Sequence, residues 1–188
     1  MKTNRNIAVI LFVITAGIFL LRIILAFRGY YLEQVSGSWA ALAVDVSRGI
    51  LYRPLFDEAI GTGGTRWMPL YFSLHGLLIK ITGDVIYTGL LLSILASVAL
   101  ILAVSLLLKH YRINLESSLI IIALLLVSSN LITAMTAVRG DILAASLNVW
   151  GLYYAITSDK KKYRIMLSCF FFVLTLMTKI TSGFGFAV

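Results

Sequence analysis

Hydrophobic positions run almost without interruption through most of this chain. Four stretches are long enough, or nearly so, to cross a hydrocarbon core at about 20 residues per span: Ile7–Phe27, Val85–Leu108, Ser118–Ala137 and Ile142–Ser158. A fifth begins at Ile165 and continues to about residue 185. The first run is too long for the h-region of a signal peptide, and no small-residue cleavage site follows it, so it reads as a retained span. One long polar interruption, residues 28–84, separates the first span from the second.

The pattern inside that interruption is helical. Trp39, Leu42, Ala43 and Val46 recur at i, i+3, i+4 and i+7 and make one apolar face. Ala41, Asp45 and Arg48 fall opposite, and Ser36 or Ser38 is available as the N-cap. Gly49 suits the left-handed end of such a helix. A second short helix is predicted over Met68–Lys80, with Pro69 in its first turn and Ser73, Gly76 and Lys80 on a polar side. Both are too short to span, and both are expected to lie along the membrane surface.

Composition fits this picture: 60% of the residues are hydrophobic and 13% charged, with a mean hydropathy of +0.97. A soluble domain carries about twice that share of charge. The formal net charge of +8 does not point to nucleic acid, because the cations gather in short loops. Lys2 and Arg5, then Lys109 and Arg112, then Lys160, Lys161, Lys162 and Arg164 all fall on one face, which the positive-inside rule assigns to the cytoplasm. Residues 28–84 and the turn holding Arg139 and Asp141 then face outward. The fold expected is all-α: a polytopic transmembrane protein with amphipathic juxtamembrane helices in its first outer loop.

Candidate chemistry gathers on that outer side. Gly61, Gly63 and Gly64 allow backbone amides to turn toward an anion, and Arg66 adds a fixed charge, although no Walker lysine follows. Asp141 sits in the short link between the third and fourth spans, where it would also serve as a helix N-cap. Lys179 lies roughly 22 Å beyond Arg164 along a helix, at a depth where an ionisable side chain either snorkels or works. Arg22 poses the same choice more weakly. His75 and His110 are too far apart to suggest a metal site and read as interfacial side chains. Cys169 reads as a small buried side chain and excludes an internal disulfide.

Together these features resemble the GT-C class of membrane glycosyltransferases, in particular bacterial family-39-like members. The residues carrying the likeness are Arg48-Gly49-x-x-Tyr52 at the end of a surface helix, a Pro69-Leu70-Tyr71 helix closing at Gly83, Asp141 opening the fourth span, and Thr178-Lys179-x-Thr181 in the fifth. The resemblance implies transfer of a sugar from a polyprenyl-phosphate-linked donor to a lipid, glycan or protein acceptor, at the outer face of a bacterial plasma membrane. It implies no firm cofactor and leaves room for a divalent cation. Glu33, Asp45 and Asp141 are the candidate acids for catalysis, and Arg66, Arg139, Lys179, Gly63 and Gly64 the candidate phosphate partners. The chain departs from the family in two respects. Val35 and Ser36 stand where an acidic residue is usual, and the number of spans is smaller, which suggests the N-terminal part of a longer enzyme (residues 1–188). The alternative is a noncatalytic glycolipid-binding or assembly subunit with the same fold; a transporter, with broken helices at midplane, is a weaker reading.

Overall fold

The computed structural model describes residues 2–28, 34–54, 56–57, 61–62, 67–159 and 161–181. These form eight helices and one minimal strand pair among the described residues. In chain order they are α1 (Lys2–Arg28), α2 (Gln34–Ser47), β1 (Phe56–Asp57), β2 (Gly61–Thr62), α3 (Leu70–Thr82), α4 (Val85–His110), α5 (Leu115–Val127), α6 (Ser129–Met135), α7 (Asp141–Ile156) and α8 (Lys162–Thr178). The strands pair antiparallel, Phe56 with Thr62 and Asp57 with Gly61. Gly61, expected in an anion-binding turn, thus lies in this ladder instead.

Two helices, α1 from Arg5 and α4, are long and apolar enough to cross a membrane. The third predicted span is not one straight helix. It breaks at Ser128 into α5 and α6, bent by 59°, and counts as a third span only if the pair is taken together. Ser128 adopts φ −58° and ψ 124°, ending α5 and opening α6. The break falls in a polar triplet inside an apolar run, Ser128-Ser129-Asn130, whose residue types are weaker helix formers than the leucines and isoleucines around them, although the Ser128 side chain caps no amide of α6. α7 and α8, with 16 and 17 residues, are shorter than the spans expected of them. α8 stops at Thr178, where Lys179 turns extended at φ −161°.

Two apolar cores hold the helices together. One gathers Trp39, Leu42 and Ala43 of α2 with Tyr71, Phe72 and Ile79 of α3, Leu90 of α4 and Val138. The other joins Phe19 of α1 to Ala96 and Leu100 of α4, Leu126, Leu131, Met135 and Ile142. Small residues set the spacing, as is usual where apolar helices pack closely. A Cβ on Gly76 would stand 2.7 Å from both the Ala43 carbonyl oxygen and the Val46 side chain, so the bare α3 backbone packs directly on α2. Gly76, expected on a polar side, is therefore buried. Polar side chains act as inter-helix ties: Trp150 Nε1 donates to Ala99 O at 3.0 Å, and Ser168 Oγ to Gly151 O at 2.9 Å.

α2 begins before the predicted caps, so Ser36 and Ser38 lie within the helix and Ser38 Oγ bonds back to Gln34 O. Gly49 does take the left-handed conformation, φ +86°, and Gly83 closes α3 in the same way at φ +76°. Cys169 is exposed rather than buried.

Candidate functional site

The turn between α6 and α7 is the place where separate parts of the chain converge. Ala137 and Val138 are buried, and Ser93 Oγ of α4 donates to the Ala137 carbonyl at 2.8 Å, tying the turn to α4. Gly140 occupies the N-cap of α7, the position expected for Asp141. A Cβ there would meet Thr178, Tyr71 and Trp39 at 3.1–3.3 Å, so α8, α3 and α2 all press on this one glycine. Asp141 follows as the first residue of α7, its carboxylate near the positive end of the helix dipole.

That carboxylate joins two cations. Arg139 Nε lies 2.9 Å from Asp141 Oδ2, and Lys179 Nζ donates to Asp141 Oδ1. The three side chains are partly buried, with exposures of 20% for Arg139, 30% for Asp141 and 42% for Lys179. Lys179 thus lies just past the end of α8 rather than within a helix, and its half-exposed side chain engages Asp141. The extended backbone beyond Thr178 lets it reach a residue 38 positions earlier.

Two cavities share this cluster as a wall. One, of about 320 Å³, is lined by Trp39, Trp67, Val35, Met68 and Thr178 together with Asp141 and Lys179. The indoles of Trp39 and Trp67 lie with centroids 4.2 Å apart and tilted by 38°. Trp67 is held in place by Tyr52, whose hydroxyl donates to the Trp67 carbonyl at 2.5 Å. The other cavity, of about 440 Å³, opens at the α5–α6 break and is lined by Leu100, Leu125, Leu131 and Ile142, by Ser128 and Asn130, and by Arg139 and Asp141. Asp141 therefore faces both spaces, Lys179 the aromatic one and Arg139 the apolar one.

Asp45, another candidate acid, is placed differently. Its side chain is buried, not on the open side of α2, and it forms a fork with Arg53, Nε to Oδ2 and Nη2 to Oδ1 at 2.7 Å each. Arg48, which the periodicity puts on the same side of α2 as Asp45, is exposed. Arg22 is exposed on α1. Glu33, Gly63, Gly64 and Arg66 lie outside the described residues. His110 is exposed, but His75 is fully buried rather than interfacial. Its Nε2 donates to Val85 O at 2.7 Å, and its Nδ1 faces no hydrogen-bond partner. Burial pushes the imidazole below its ordinary pKa, opposed in part by the bond to Val85. Among the described residues no three His, Cys, Asp or Glu side chains come together that could hold a metal ion.

Sequence reasoning named Arg139, Asp141 and Lys179 one by one. It named Tyr52 only within the Arg48-Gly49-x-x-Tyr52 string and did not name Trp67 or the cavity at the helix break; the polar triplet at Ser128 was the available signal for the last. No protein-family model matches the chain, and no curated protein or solved structure matches it.

Proposed function

We propose that the chain is part of a membrane glycosyltransferase that moves a sugar from a polyprenyl-phosphate-linked donor to an acceptor at the outer face of a bacterial plasma membrane. The observation that carries this reading is the Arg139–Asp141–Lys179 cluster on the common wall of an aromatic and an apolar cavity. A lipid-linked sugar has an apolar chain, a phosphate and a sugar ring, and the site offers an apolar space, two cations and an indole pair in that order. When an acceptor hydroxyl attacks the anomeric carbon, the bond from that carbon to the phosphate oxygen breaks, and the lipid phosphate departs with the negative charge. Arg139 and Lys179 complement that charge as it develops. A phosphate that draws the two cations releases the oxygens of Asp141, which then accept the hydroxyl proton. Asp45, with both oxygens held by Arg53, is left to a structural role.

One observation favours the noncatalytic alternative. Val35, at a position where the resemblance expects an acid, lines the aromatic cavity and presents an apolar surface to it. The two readings separate in a transfer assay on the full-length protein with a polyprenyl-phosphate sugar. The transferase reading expects turnover in wild type and a loss of about 100-fold or more in Asp141→Asn and Lys179→Met, in the range for removing a proton acceptor or a charge-stabilising donor. Wild type that binds the donor yet neither transfers nor hydrolyses it would establish the binding protein instead.

A further inference from the structure

His75 and Tyr71 stand one turn apart on α3 and both reach α4, with ring centroids 5.9 Å apart. The imidazole is fully buried and rests on bare backbone. A Cβ on Gly89 would lie 2.8 Å from His75 Cε1, and closer still to the Val138 side chain, so α3, α4 and the turn before α7 all meet on this glycine. From there a line of polar contacts runs to the charged cluster. The Tyr71 hydroxyl donates to Gly89 O at 3.3 Å and lies 3.5 Å from Ser93 Oγ, which donates to Ala137 O. Tyr71 also backs Gly140, where an added Cβ would stand 3.2 Å from the Tyr71 Cβ. Ala137, Val138 and Gly140 thus lean on the α3–α4 contact that His75 fills, and between them they carry Arg139 and lead into Asp141.

The contact suits only a neutral ring. A carbonyl accepts and never donates, so the bond from Nε2 to Val85 O places the proton on that nitrogen and leaves Nδ1 a bare acceptor with no donor facing it. A second proton would make Nδ1 a donor in a fully buried site that offers it no acceptor, and the new charge would have no counter-ion. On α3 the titratable group facing the ring is Tyr71; α4 presents Val85 O and Gly89, and the turn presents the methyls of Val138. The charged groups of these elements are turned elsewhere. Lys80 and Asp84 are exposed, with Asp84 capping Tyr87 N. Asp45 of α2 is held by Arg53, and Asp141 by Arg139 and Lys179. No ion pair involves His75 among the described residues. Separating α3 from α4 is what would let water reach a protonated ring.

We propose that His75 is a proton-operated positioning residue: the neutral ring wedges α3 against α4 and so holds the turn that presents Arg139 and Asp141, and protonation releases both. The inference rests on the transferase reading only for what the cluster does once positioned, since the release is measurable without any substrate.

Hydrogen exchange followed by mass spectrometry tests this on the full chain in lipid nanodiscs, at pH 7.5 and 5.5, with rates corrected for the intrinsic pH dependence of exchange. A released imidazole titrates at about 6.5, so at pH 5.5 the proton favours the released state by up to about tenfold. Wild type is expected to lose protection by that factor in residues 71–79 and 137–142 together, with residues 144–155 unchanged. His75→Gln should remove the response to acid in both segments, and His110→Gln, which removes the exposed histidine, should behave as wild type. Ser93→Ala cuts the line between them: residues 137–142 should be open at both pH values while 71–79 still respond. Nitrogen-15 shifts of the one imidazole left in His110→Gln follow the proton directly, so the test does not depend on His75→Gln folding; their midpoint is expected to coincide with the loss of protection. An acid response in His75→Gln equal to wild type, unchanged protection in wild type, opening of 71–79 with 137–142 still closed, or an imidazole midpoint apart from the opening would each overturn the proposal. Exchange that behaves as expected in a protein without transfer at any pH would sink the transferase reading and leave the His75 device standing.

Discussion

Asp45 and Arg53 stand eight residues apart, and their side chains meet in a two-point fork across the Gly49 bend that ends α2. The burial is uneven. Asp45 is 5% exposed and Arg53 48%. Ile50 N also bonds Asp45 O at 2.9 Å, so one residue holds the bend by both its backbone and its side chain.

That asymmetry makes the two halves of the pair unequal under mutation. Arg53→Met leaves a buried carboxylate with no cation and should cost about 2 kcal/mol, less than the cost of breaking a fully buried pair because Arg53 is half solvated. Asp45→Ala frees an arginine that water can reach and should cost less. Thermal unfolding of the detergent-solubilised proteins measures both. A catalytic Asp45 would show the reverse signature, with Asp45→Asn silent in stability and fatal to transfer.

Gly76 and Gly37 provide a matched pair. Gly76→Ala puts a methyl against the Ala43 carbonyl and should destabilise by about 1–3 kcal/mol through forced separation of α2 and α3. Gly37→Ala meets nothing within 4 Å and should gain up to about 1 kcal/mol from helix propensity. Equal melting temperatures for the two variants would show that α2 and α3 do not pack as closely as described.

His75 predicts a pH dependence with a definite sign. The folded protein holds this imidazole neutral, with its pKa lowered mainly by burial, whereas the unfolded chain titrates near 6.5. Between the lowered value and 6.5 the unfolded state binds more protons, so stability rises with pH through that window and is lost as pH falls below 6.5. His75→Gln keeps a donor for Val85 and removes the titration. Its melting temperature should change less than that of wild type between pH 7.5 and 5.5; parallel curves would remove His75 as the cause.

Tyr52→Phe tests the support of the aromatic cavity. Loss of the bond to the Trp67 carbonyl should cost about 1 kcal/mol in stability. It should also loosen the indole, which titration of tryptophan fluorescence with a soluble glycoside reports. An unchanged binding curve would separate Trp67 from ligand recognition.

Ser93→Ala probes the turn that carries the cluster. It leaves the buried Ala137 carbonyl without its hydroxyl partner, for an expected loss of about 1–2 kcal/mol. If the turn positions Arg139 for the proposed transfer, turnover falls further than the lowered melting temperature explains, whereas a purely structural Ser93 lowers the melting temperature alone.

The helices were largely legible from periodicity and their ends from glycine. The face of α2 through Trp39, Leu42 and Ala43, and the left-handed Gly49, follow from local rules that need no neighbour. What periodicity cannot carry is the identity of a partner. Asp45 read as the solvent side of a helix because Arg53, its counter-ion, lies beyond the helix end. Gly76 and His75 read as polar edges because α2 and α4, which bury them, are not visible in a single helix's pattern. The break at Ser128 was masked by the apolar residues around it, since hydropathy averages over a window wider than the defect. Of the site, the charged residues were visible singly, and their meeting depended on α8 ending at Thr178, where no glycine or proline marks a stop.

The contact between Asp141 and Lys179 also orders events during synthesis. The carboxylate leaves the ribosome at the start of α7, but its lysine follows only after the whole of α8. Until α8 docks, the aspartate has Arg139 alone and Gly140 lacks the Thr178 methyl that covers it. The cluster is therefore completed last. A chain interrupted anywhere in α8 would keep the whole wall of the apolar cavity but lack Thr178 and Lys179 on the aromatic one, and with them the second cation of the cluster.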